Sequence, residues 1–101
     1  MVGITLVGRV ARDPRAAMAF AVEITEYIKE RHHTASECWL RVGGPSGQIV
    51  WQTSFENMTA MENFNESLLS DEQYWTKVKE IEEKGLFDMA SFEEGVWTKL
   101  G

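Results

Sequence analysis

The chain has 101 residues, of which 44% are hydrophobic and 26% charged, the composition of one globular domain spanning residues 1–101 around a single core. A net charge of −6 argues against nucleic acid and anionic membrane as partners, because both demand a basic surface. Cys38 stands alone, which excludes an internal disulfide framework or a cysteine zinc cluster and fits a reducing cytoplasm. No basic segment precedes an apolar stretch at the N-terminus, and no apolar run nears the ~20 residues of a membrane span, so an unprocessed, soluble, cytoplasmic protein is expected.

Ile4 to Ala11 is rich in β-branched and apolar residues on both faces, the pattern of a central strand. Asp13-Pro14 then offers a capping carboxylate followed by a proline suited to the first helical turn. Ala17, Phe20, Ala21, Ile24 and Ile28 follow at i, i+3, i+4 spacing and predict a core-facing helix that fades near Arg31-His32-His33. Ser36 to Val42 and Gln48 to Phe55 flank the turn-rich Gly43-Gly44-Pro45-Ser46-Gly47 and predict a β-hairpin. Pairing Val42 with Gln48 sets Leu40 opposite Val50 and Trp39 opposite Trp51, which leaves Cys38, Leu40, Val42 and Val50 on the other face.

Thr59 and Glu62 form an S/T-x-x-E capping box ahead of the stripe Met61, Phe64 and Leu68. Ser70-Asp71-Glu72-Gln73 repeats a capping signature while Trp75 and Val78 continue the stripe, so a kink or restart is expected there, with Gly85 as the stop. Phe92 to Leu100 supplies a last strand, in which Val96, Thr98 and Leu100 alternate with Trp97 and Lys99.

The order β-α-β-β-α-β is the split βαβ plan: an α+β, ferredoxin-like, four-stranded antiparallel sheet with two helices on one face. The bare face must then be covered, and the expected register gives it Trp39, Ile49, Trp51 and Phe55, an apolar set suited to a homodimer interface. The run Trp51-Gln52-Thr53-Ser54-Phe55-Glu56-Asn57-Met58-Thr59-Ala60-Met61-Glu62, followed by Leu69-Ser70-Asp71-Glu72-Gln73-Tyr74-Trp75, resembles the third strand and second helix of dimeric α/β barrel proteins of the NIPSNAP-like and antibiotic-biosynthesis-monooxygenase-like kind. That resemblance implies two sheets packed face to face. It also implies a scaffold shared by cofactor-independent monooxygenases, haem-degrading enzymes, isomerases, cyclases and proteins of no known reaction. The first strand has no Asn and the second helix no His, so the haem-degrading pattern is not met.

Candidate chemistry is sparse. His32, His33 and Tyr27 are the residues able to handle protons near neutrality or to orient a ligand, although paired histidines at a helix end are by default solvated. The expected pocket, for a small apolar ligand, lies between helices and sheet and is lined by Phe20, Ile24, Tyr27, Leu40, Val50, Phe64 and Trp75, residues that would otherwise form ordinary core. The glycine-rich turn joins two strands instead of opening a helix, so it is no phosphate cradle, and neither metal nor cofactor is expected. A non-catalytic binding or interaction module is the first expectation, and a cofactor-independent monooxygenase-like or isomerase-like enzyme the alternative.

Overall fold

A computed structural model describes residues 1–44 and 46–101; Pro45 of the expected turn lies outside the described residues. The elements are β1 (Val2–Val10), α1 (Pro14–His32), β2 (Ser36–Leu40), β3 (Gln48–Phe55), α2 (Met58–Leu69), α3 (Glu72–Lys84) and β4 (Phe87–Thr98). All neighbours in the sheet are antiparallel in the order β2-β3-β1-β4, with the first and third strands in the middle. This is the expected α+β, ferredoxin-like plan, with the second helix divided in two.

Local chemistry sets the helix ends. The Asp13 carboxylate accepts the Ala16 N–H at 3.2 Å and Pro14 opens α1, whose buried stripe is Ala17, Ala21, Ile24 and Ile28. Asn57 rather than Thr59 caps α2, accepting the Ala60 N–H at 2.9 Å, because β3 ends at Phe55 and the chain turns into the helix at once. The expected restart falls at Asp71, which caps α3 through the Tyr74 N–H, and Gly85 closes α3 at φ 65°, where a side chain would be strained. Strand β4 begins five residues earlier than expected, directly after that stop.

The hairpin register differs by one residue from the expectation: Leu40 faces Ile49, Trp39 faces Val50 and Cys38 faces Trp51. A one-residue slip reverses every side chain. Ile49, Trp51, Thr53 and Phe55 therefore point at the helices, where Ile49 is 2% exposed. Of the four residues expected on the open face, only Trp39 lies there, together with Val50, Val7 and Trp97 in neighbouring strands. Trp39 and Trp97 are 58% and 63% exposed, and the Trp97 indole lies across Gly95 with its N–H donating to Thr5 Oγ1 at 2.8 Å.

The helix-facing core falls into two clusters, one of Ala17, Ala21, Ile49, Ile81, Leu86 and Phe87, the other of Val2, Phe55 and Met61. Beside the first, β4 is irregular: pairing with β1 breaks between Val7 and Arg9, and Met89 to Phe92 loop opposite Gly8. The Phe92 ring occupies the space over Gly8, where a Cβ would come within 2.5 Å of it, and stacks on Trp51 at 6.4 Å. Only glycine leaves that room.

Candidate functional site

Between the helices and the sheet lies a cavity of about 540 Å³, in the size range of small-molecule pockets. Its floor is the helix-facing side of the sheet, with Ile4, Leu6, Trp51, Thr53 and Phe92; Phe20, Ile24 and Ile28 of α1 form one wall. The opposite wall is built at the break between α2 and α3, from Phe64, Asn65, Leu68, Leu69, Tyr74, Trp75 and Val78. The break falls inside this wall: the last turns of α2 and the first turns of α3, on either side of Asp71, both line the cavity. Leu69, Trp75, Met89 and Glu94 are exposed lining residues and mark the mouth, whereas Ile24, Ile28, Ile81 and Phe87 are buried.

Of the residues expected to surround a ligand, Phe20, Ile24, Phe64 and Trp75 do line the cavity. Val50 does not, because the register turns it to the open face; Leu40 faces the helix side but sits at the β2 edge, away from the lining. Polar groups in the wall are few. Ser36 and Thr53 satisfy each other at 2.6 Å, and the Trp75 indole donates to the Leu68 carbonyl at 3.0 Å. Trp51 Nε1 is buried with no hydrogen-bond partner among the described residues, its ring enclosed by Phe87 and Phe92.

Tyr27 leaves the lining for a different reason: it belongs to a polar cluster at the helix junction. Its hydroxyl donates to both oxygens of Asp71, at 2.7 and 2.9 Å, while His32 Nε2 lies 2.7 Å from Asp71 Oδ2 and the Tyr74 N–H is 3.1 Å from Oδ1. The Asp71 side chain is 5% exposed and His32 10%. Burial alone would raise the Asp71 carboxyl, but the bonds from Tyr27, the Tyr74 backbone and His32 outweigh it and hold it at about 2. Asp71 is thus an anion, an acceptor only, so His32 Nε2 must carry the proton.

Burial raises the Tyr27 phenol, and the Asp71 carboxylate raises it further. Its proton is committed to that carboxylate, which makes Tyr27 a poor general base. The cluster ties the end of α1 to the joint between α2 and α3. It borders a second, smaller cavity of about 280 Å³ lined by His32, Thr34, Phe55, Ala60, Asn63, Phe64 and Ser67. His33 is not part of it; as the residue capping α1 it is exposed, at φ 53°. Among the described residues no group of three His, Cys, Asp or Glu side chains is placed to hold a metal ion, and no helix is long and apolar enough to cross a membrane.

Neither protein-family models nor curated proteins give a match to this sequence. Solved structures do match in shape. A NIPSNAP domain protein from Burkholderia xenovorans superposes with a TM-score of 0.81 at 13% identity, over 100% of this chain and 96% of that one. A NIPSNAP family protein from Agrobacterium tumefaciens does so with a TM-score of 0.79 at 11% identity, over 98% and 92%. SnoaB, a cofactor-independent oxygenase from Streptomyces nogalater solved as its N63A mutant, gives 0.69 at 11% identity, over 99% and 93%. At such identities the likeness concerns the chain's path alone, and what it establishes is that this protein has the ferredoxin-like fold of NIPSNAP domain proteins and antibiotic-biosynthesis-monooxygenase-like proteins.

Proposed function

We propose that the protein binds a small, largely apolar molecule in the cavity between its helices and sheet, without transforming it. The observation that carries this reading is the cavity itself: about 540 Å³ of space with aromatic walls where a filled core would be the rule. Binding is favoured over catalysis by the position of the acid–base candidates. Tyr27 and His32 are both engaged by Asp71 at the helix junction and neither lines this cavity. The test is titration with naphthylethanol, a neutral probe of fitting shape, followed by amide and indole NMR. Shifts at the Trp75 indole and the Asn65 side-chain amide, with none at Trp97, and altered affinity in Leu68→Trp, which puts a further large ring into the cavity wall, support the reading. Shifts confined to Trp39 and Trp97 would overturn it.

We further infer that a second copy of the chain covers the open sheet face. Support comes from Trp39 and Trp97, both more than half exposed on the same sheet face as Val7 and Val50, large apolar side chains that a lone small domain would leave in water. Sedimentation at micromolar concentration is expected to give a dimer that Trp97→Glu dissociates; a wild-type monomer would refute the inference. The interface assigned here is Trp39, Val50, Val7 and Trp97, not Ile49, Trp51 and Phe55.

A further inference from the structure

The charge pattern of the cavity narrows what it could hold. Among the described residues that line it, Glu94 alone carries a charge, and no Arg, Lys or His is there to meet an anionic group. Register fixes where that carboxylate points: Leu6 pairs with both Trp51 and Glu94, so the three share one row on the helix-facing side, with Glu94 two strands, or about 10 Å, from Trp51. Glu94 is exposed, at the mouth with Leu69, Trp75 and Met89.

No ion pair or hydrogen bond engages the Glu94 side chain among the described residues, whereas Asp88, earlier on the same strand, is matched by Arg9 at 2.7 Å. An unpaired carboxylate at the entrance of an apolar cavity attracts a positive head group and repels a negative one. Two further features act in the same direction. Tyr74 and Trp75, set edge to face at 5.0 Å in the same wall, offer electron-rich ring faces of the kind that attract cations, and the chain's net charge of −6 disfavours approach of anions.

We propose that the cavity selects apolar molecules ending in an ammonium or similar cationic group, with Glu94 at the mouth as the residue that sets this preference. The apolar body lies among Phe20, Ile24, Phe64 and Trp75, and the charged end remains partly hydrated beside Glu94. The proposal rests on the reading of the cavity as a ligand site.

The test uses three probes of one shape, naphthylethylamine, naphthylethanol and naphthylacetate, with wild type, Glu94→Gln and Glu94→Lys. Affinities are measured by calorimetry, and the Trp75 indole resonance reports the site. In wild type at low salt the amine should bind about tenfold more tightly than the carboxylate, with the alcohol between them, as expected for one partly hydrated charge contact that attracts one probe and repels the other. The spread should shrink with added salt. In Glu94→Gln it should fall to about twofold with the alcohol unchanged, and in Glu94→Lys it should reverse. Equal affinity of the wild type for amine and carboxylate, or an undiminished preference in Glu94→Gln, would overturn the selectivity while leaving the binding cavity standing. If none of the probes, the neutral alcohol included, perturbs the Trp75 indole, the cavity reading fails and the proposal with it.

Discussion

Ile49→Ala tests the strand register on which every placement above depends. Ile49 is 2% exposed and packs with Ala17, Ala21, Ile81, Leu86 and Phe87. The substitution removes three buried carbons, worth about 2.4 kcal/mol at roughly 0.8 kcal/mol each. Residual cavity space of about 60 Å³ adds about 1.5 kcal/mol, for a total near 4 kcal/mol, within the range of about 2–5 kcal/mol for such truncations. With a urea m-value of about 1.5 kcal/mol/M for a domain of this size, the unfolding midpoint should fall by about 2.5 M. Glu80→Ala, on an exposed side chain of α3, should stay within about 0.5 kcal/mol of wild type. Urea unfolding followed by far-UV circular dichroism gives both numbers. A cost below about 1 kcal/mol for Ile49→Ala would mean that Ile49 faces outward, as pairing Leu40 with Val50 requires, and the present register would be wrong.

Gly8→Val should force Phe92 from its seat, since a Cβ there meets the ring at 2.5 Å; a destabilisation of about 1–3 kcal/mol and an altered near-ultraviolet spectrum are expected, partly relieved in the double variant with Phe92→Ala. Asp71→Asn should be less stable than wild type at neutral pH. Because the folded carboxyl sits at about 2, below its ordinary 3.8, its contribution is present above about pH 4 and lost as the pH falls toward 2, so the difference in urea midpoint should narrow over that window and not elsewhere. Tyr27→Phe removes the hydroxyl that donates to both Asp71 oxygens and should raise the Asp71 carboxyl, read directly by carbon NMR of the side chain; an unmoved titration would mean that the hydroxyl is not bonded there.

The helix stripe Ala17, Ala21, Ile24 and Ile28 was legible because its period admits one buried face, and Asp13-Pro14 and Gly85 mark their helix ends with residues few other structures prefer. The hairpin register was not. Both faces of β2 and β3 carry large apolar residues, Trp39 beside Leu40 and Val50 beside Trp51, so slipping by one residue exchanges one apolar face for another, and the long connection from Arg41 to Gly47 imposes no tight-turn register. Thr59 and Asn57 are both good caps, and only the end of β3 decides between them. Four of the seven expected lining residues came from helix periodicity or the α2 stripe; Leu40 and Val50 depended on the register, and Tyr27 on a partner 44 residues away. Asp71 was visible as a cap, but its bonds to Tyr27 and His32 join segments with no local pattern in common. Glu94 stands in phase with Val96 and Thr98, a signal that places it on the helix-facing side once the pairing with Leu6 is known.

Whether the space between helices and sheet takes a ligand is decided by a crystal structure of the protein grown with naphthylethanol. The naphthyl ring is expected among Ile24, Phe64, Leu68 and Trp75, with its hydroxyl toward the mouth at Glu94. A structure in which those side chains close on one another and the probe is absent, or lies instead on the open sheet face between Trp39 and Trp97, would contradict it.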